Sequence, residues 1–144
     1  MLQASKQKPE SFKEFMIRRK RASDAFVNGN VGPLDDISTH VSQATFFGPS
    51  GEYVEGADKV NAVNRKAAES FEPGGENRFD ILQRDASDHI GFWAGIQRTT
   101  VTMKGKEKPV SMNLRVTEVF VRQRGDWKLI HRHADILKDT RNVP

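Results

Sequence analysis

The stretch LRVTEVFVRQRGDWKLIHRHAD, residues 114–135, decides the fold. It reads as two extended segments, 114–120 and 127–135, on either side of a turn at Gly125. Successive strand side chains alternate between faces. Trp127, Leu129, His131, His133 and Asp135 therefore share one face, and Lys128, Ile130, Arg132, Ala134 and Ile136 the other. Reading Gln123-Arg124-Gly125 as a three-residue loop, with Gly125 in a left-handed bulge position, sets Arg122 opposite Asp126. Thr117 then opposes His131, and Arg115 opposes His133. One face of the hairpin gathers Arg115, Thr117, His131, His133 and Asp135; the other gathers Val116, Glu118, Phe120, Ile130 and Arg132. A two-residue loop would reverse this matching.

The first of these faces is expected to look inward. Polar groups there must bond one another, water or a ligand, because burying them unpaired is costly. Arg115 suits a carboxylate or enolate oxygen. His133 can move a proton near neutral pH, with Asp135 two residues on to orient it. Thr117 and His131 complete the candidate site, His131 equally as a member of a satisfied polar network. The His131-x-His133-x-Asp135 alternation lacks a fourth metal ligand, and Arg115 would repel a cation, so no metal or other cofactor is expected.

Two further long strands are expected at 78–87 and 90–103, and the hairpin's own strands extend over 110–122 and 127–136. Their short connectors imply antiparallel neighbours, since parallel strands need long crossovers. Before them, Ser11-Phe12-Lys13-Glu14 has the form of a capping box. Phe12, Phe15, Met16, Ala22 and Phe26 follow at helical spacing, up to a stop at Asn28-Gly29-Asn30. Pro33 opens a short helical turn, and 41–47 suits a strand returning through 52–55. A second long helix carries Val60, Val63, Ala67, Ala68 and Phe71 and ends at Pro73-Gly74-Gly75. Helices first and a meander last indicate an α+β fold, helices packed on one face of a curved sheet. Of the aromatics, Phe46, Tyr53 and Trp93 are the candidates to line an apolar pocket, with Gln97 on the face of Trp93. Phe47 and Phe92 are weaker candidates, and simple core packing is the alternative for each.

The chain has 144 residues, 36% hydrophobic and 29% charged, with no cysteine. That length makes one domain, expected at 11–137 between polar tails at 1–10 and 138–144. Disulfides, thiolate nucleophiles and cysteine zinc sites are excluded. No apolar run suits a membrane span, and the first ten residues show no signal peptide; a cytoplasmic location is expected. The first 21 residues hold seven Lys/Arg against two Glu, while the remainder holds 16 basic and 17 acidic residues. Basicity confined to one segment argues against a nucleic-acid binder, which would carry a basic stripe with interleaved aromatics. Arg18-Arg19-Lys20-Arg21 reads as a solvated helix face, or as a contact for an acidic partner.

The first helix ending Ala25-Phe26-Val27-Asn28-Gly29-Asn30, the segment Ala44-Thr45-Phe46-Phe47-Gly48-Pro49, and above all the closing hairpin resemble the nuclear transport factor 2-like superfamily. The nearer resemblance is to its SnoaL-like, ketosteroid-isomerase-related branch. It implies a cone, a curved antiparallel sheet wrapped around the N-terminal helices, with a pocket at the open end and a homodimer through the outer sheet face. It does not imply steroid isomerisation. Ketosteroid isomerases place a general-base Asp before a Pro at the end of the first strand, where Gly48 precedes Pro49 here. Their oxyanion-hole Tyr falls at Ala22, and the sole tyrosine is Tyr53.

Three functions follow as expectations. The first is binding of a small apolar or carboxylate-bearing molecule. The second is a cofactor-free isomerase, lyase or hydrolase, with His133 as base, Asp135 as its orienter and Arg115 as clamp. The third is a protein-interaction module using the basic first helix or the outer sheet face, the latter presenting Val116, Phe120 and Ile130.

Overall fold

The computed structural model describes residues 8–138, so the expected tails lie largely outside the described residues. Helix α1, Phe12–Phe26, starts at the capping box: Ser11 Oγ accepts the Glu14 N–H at 3.0 Å, and Glu14 Oε1 accepts the Ser11 N–H at 2.9 Å. These bonds satisfy two N–H groups that a helix start leaves free. Helix α2, Gly32–Ile37, has its Pro in the first turn. Strands β1, Thr45–Phe47, and β2, Tyr53–Glu55, form a small hairpin, and helix α3, Ala57–Ala68, follows. Strands β3, Phe71–Ala86, β4, Ile90–Met103, β5, Val110–Gln123, and β6, Asp126–Ile136, complete one six-stranded sheet in the order β2-β1-β6-β5-β4-β3. The architecture is the α+β one expected: helices against one face of a curved, unclosed sheet.

Two expectations about elements are corrected. The second long helix stops at Ala68, and Pro73-Gly74-Gly75 lies inside β3. There the register against β4 shifts between Glu72 and Glu76, and a bulge accommodates both a Pro without an N–H and Gly74 at φ +105°. Nor is the sheet wholly antiparallel. β1 pairs parallel with β6, a pairing open to it because α3 and four strands separate the two in sequence.

The closing hairpin differs most from the sequence reading. Gln123 faces Asp126 across a two-residue turn, Arg124-Gly125, whose residues have φ +52° and +88°. Positive φ at both central positions matches the right-handed twist of the flanking strands. The ladder then slips between Val119 and Phe120, because Phe120 faces Leu129 while Val119 faces His131. Ile130 is the extra residue of a β-bulge. Thr117 therefore opposes His133, not His131, and Arg115 opposes Asp135.

Bulges bend strands, and here they curve the sheet around the helices. A third lies between Ile81 and Gln83 on β3. Opposite it, a Cβ on Gly95 would collide with the Asp80 carbonyl oxygen, so only glycine lets the two backbones approach. The core forms where α1 meets β5 and β6. Phe12 packs edge-on to Trp127 at 5.2 Å between ring centroids, and Phe15 edge-on to Phe120 at 5.1 Å. Edge-to-face pairs of this kind add about 0.5–1.5 kcal/mol beyond their buried area.

Candidate functional site

Behind that aromatic core, a cavity of about 290 Å³ lies between the helices and the inner sheet face. Its walls are mostly apolar, with Phe26, Leu34, Phe46, Phe71, Met112 and Leu114 among them. Four of its polar lining residues, Arg19, Ser23, Gln97 and Arg132, belong to one cluster built from α1, β4, β5 and β6. Glu118 has no exposed surface and accepts four hydrogen bonds. Arg19 donates through Nε to Oε1 at 2.8 Å and through Nη2 to Oε2 at 2.7 Å. Trp93 donates its indole Nε1–H to Oε1 at 2.7 Å, and Arg132 donates Nη1–H to Oε2 at 2.8 Å. Arg132 Nη2 also donates to Gln97 Oε1 at 2.6 Å. The Gln97 amide donates in turn to Ser23 Oγ at 3.0 Å and Asn77 Oδ1 at 2.8 Å.

Four donors fill the acceptor sites of one carboxylate. Burial alone would push the Glu118 carboxyl up, but the Arg19 and Arg132 charges and their hydrogen bonds override it and hold it down at about 2. Glu118 is therefore an ion at every ordinary pH, saturated with donors and unable to act as a proton acceptor. Burial pulls the Arg132 guanidinium down; Glu118 opposes this and the Arg19 charge adds to it. A guanidinium nonetheless stays charged in a protein. The cluster holds two cations and one anion.

The sequence-derived site divides between the two sheet faces. Trp93, Gln97 and Phe46 lie inward; Gln97 and Phe46 line the cavity, and Trp93 braces its polar floor. His131 also borders the cavity, its Nδ1 paired with Thr45 Oγ1 at 2.6 Å and its ring edge-on to Phe47. Burial first, and the neighbouring His133 second, push its pKa down, which favours the neutral ring.

Arg115, Thr117, His133 and Asp135 point outward, and the expectation that they face a cavity is corrected. The Arg115 side chain is 63% exposed and holds Asp135 with two bonds of 2.6 and 2.7 Å. That bonding lowers the Asp135 pKa. Asp135 is thus paired with Arg115, while His133, half exposed, stands 3.7 Å away. Tyr53 is exposed too, its hydroxyl donating to Glu55 at 2.6 Å. Val116 and Phe120, expected on the outer face, are buried in the core.

The residues that sequence reading missed are Arg19, Glu118 and Arg132. Arg19 sits in the basic run taken as a solvated face, yet it is only 3% exposed. A signal was present, since Arg19 falls between Met16 and Ala22 on the apolar stripe of α1. Arg18, its neighbour, faces outward and pairs with Glu10 at 2.8 Å. Among the described residues, no group of three or more His, Cys, Asp or Glu is placed to hold a metal ion. No described helix is long and apolar enough to cross a membrane.

The chain belongs to the SnoaL-like domain family, which matches residues 20–137. No curated protein matches the sequence. Solved structures show the same fold. A nuclear transport factor 2-like superfamily protein of Salmonella enterica is 10% identical, with a TM-score of 0.74 over 92% of this chain and 95% of its own. The CamKII hub homology domain of Chlamydamonas reinhardtii is 22% identical, with a TM-score of 0.67 over 88% and 98%. A protein with a cystatin-like fold from Caulobacter vibrioides is 15% identical, with a TM-score of 0.65 over 85% and 88%.

Proposed function

We propose that this chain is a small-molecule-binding SnoaL-like protein whose ligand occupies the cavity between the helices and the inner sheet face, and that it works as a homodimer. The observation that carries the binding reading is the cavity itself: apolar walls with a few convergent polar groups are the usual build of a ligand site. Binding is favoured over proton-transfer chemistry because the buried carboxylate is saturated with donors and His131 is tied to Thr45. Acid–base catalysis needs a group free to exchange its proton with a substrate.

The test is thermal stabilisation of the full chain by a panel of small carboxylic acids and ketones. A ligand at about 100 times its dissociation constant adds about 2.7 kcal/mol. Hits should raise Tm and be recovered unchanged. Ala67→Phe, which pushes a ring into the cavity from α3, should abolish the shift while the fold persists. Hits that survive Ala67→Phe would refute the location, and hits recovered as products would refute the non-catalytic reading.

The dimer reading now rests on other residues than expected. The outer face of β4 and β5 carries Phe92, Ala94, Ile96 and Val119, flanked by exposed Phe47 and Ile90. A second copy is the occupant that a self-complementary sheet face suits. Sedimentation should give twice the chain mass, and Thr117→Arg at the centre of that face should shift it to the monomer. A monomer at micromolar concentration would refute it.

A further inference from the structure

We infer that the cavity takes an organic anion, a carboxylate on an apolar body, with the carboxylate seated on Arg132. The inference rests on the binding reading above and adds the chemical class of the ligand. It starts from a charge count. Arg19 and Arg132 face the single carboxylate of Glu118, which leaves one positive charge in excess beside the cavity. Glu52, the acidic residue on the lining among the described residues, is exposed and accepts the Ser50 N–H at 2.7 Å. Its charge is in water and does not neutralise the buried excess. An uncompensated cation is costly in a low-dielectric site, and an entering anion removes that cost.

The donor count points the same way. A guanidinium carries five N–H groups. Arg132 commits one to Glu118 and one to Gln97 and keeps the rest, and its side chain is 19% exposed on the cavity side. Arg19 also borders the cavity but is only 3% exposed, with Nη1 buried and unbonded and its guanidinium lying 5.4 Å from the Phe79 ring centroid. The two arginines therefore divide the work. Arg19 fixes Glu118 from the closed side, and Arg132, braced by Glu118 and Gln97, presents its remaining donors to the ligand. The remainder of the cavity is mostly aromatic and aliphatic, with a few hydroxyl and amide side chains such as Thr39 and Asn61, and suits a hydrocarbon chain or ring. A neutral isostere would fill the same space and leave the excess charge unmatched.

The probes are phenylacetate, phenylacetamide and toluene, titrated into the full chain and followed by calorimetry and by NMR of the Trp93 indole N–H, which bonds the same carboxylate as Arg132. Phenylacetate should bind about tenfold or more tightly than phenylacetamide, the difference a charge-assisted hydrogen bond makes. Arg132→Gln should erase the preference of the acid over the amide. Arg132→Lys, which keeps the charge and loses the fork, should restore part of it. Equal affinity for acid and amide, or an acid preference that survives Arg132→Gln, overturns the inference. Toluene entering while phenylacetate does not would overturn it and leave the cavity as a binding site. Failure of all three probes to bind would overturn both.

Discussion

Two ion clusters sit back to back on β5 and β6. Glu118 faces Arg132 on the inner side of the ladder, and Arg115 faces Asp135 on the outer side, three residues away along each strand. Both are cross-strand carboxylate–guanidinium pairs with bonds of similar length. Their surroundings differ completely. The outer pair stands in water, where an ion pair gains little over its hydrated partners. The inner carboxylate has lost all its water and depends on four protein donors. Similar bond lengths thus carry unlike energies, and the proposed ligand site is built on the pair whose carboxylate water does not reach.

Removing one partner from each cluster should separate them most sharply. Glu118→Ala leaves two buried guanidinium groups without their anion and is expected to cost about 3–5 kcal/mol in urea unfolding. Asp135→Ala should leave the unfolding midpoint where it is. Equal effects would mean that the inner cluster is as wet as the outer one.

Acid should sharpen the same contrast on a smaller scale. The Glu118 pKa is lower folded, at about 2, than its ordinary 4.5. The unfolded chain therefore takes up the proton first. The stabilisation from this group is complete above about pH 4.5 and is lost as pH falls toward 2. It amounts to about 3 kcal/mol at about 1.4 kcal/mol per pKa unit. Glu118→Gln should flatten that part of the stability–pH curve, and Asp135→Asn should change it far less, its carboxylate being in water.

The smallest effect concerns the turn that sets which residues face each other. Arg124 holds φ +52°, a conformation that costs a side chain without local hydrogen bonding about 1 kcal/mol. Arg124→Asn should raise stability by about 0.5–1 kcal/mol in thermal melts. Gly125→Ala, at φ +88°, should lower it by about the same amount. A reversed order would mean that the turn does not control the register.

Much of the fold was legible because its signals are local. The Ser11 capping box, the apolar stripe of α1, the Gly29 stop and the limits of β4 each depend on a few neighbouring residues. The faces of the closing hairpin were not legible. Trp127 and Leu129 are buried, and strict alternation from them would bury His131, His133 and Asp135 as well. The extra residue at Ile130 interrupts the alternation, so Arg132 and Ala134 turn inward instead. A bulge depends on how a strand bends over its neighbours and leaves no composition mark. β5 did hold the answer. Leu114, Val116 and Phe120 share a face with Glu118, and a face that apolar belongs against helices.

The parallel pairing of β1 with β6 carries a consequence for the order of assembly. Thr45 and His131 meet across 86 positions of chain, whereas β3 to β6 are joined by short turns. Local contacts close quickly and distant ones slowly, because the entropy of a large loop must be lost before its contact forms. The meander is therefore expected to form first and the β1–β2 flap, with Phe46 at the cavity wall, to dock last. Native-state hydrogen exchange should find the amides of β1 opening at lower free energy than those of β4 and β5. The part of the cavity wall that this flap supplies through Phe46 is then expected to open before the part supplied by β4 and β5.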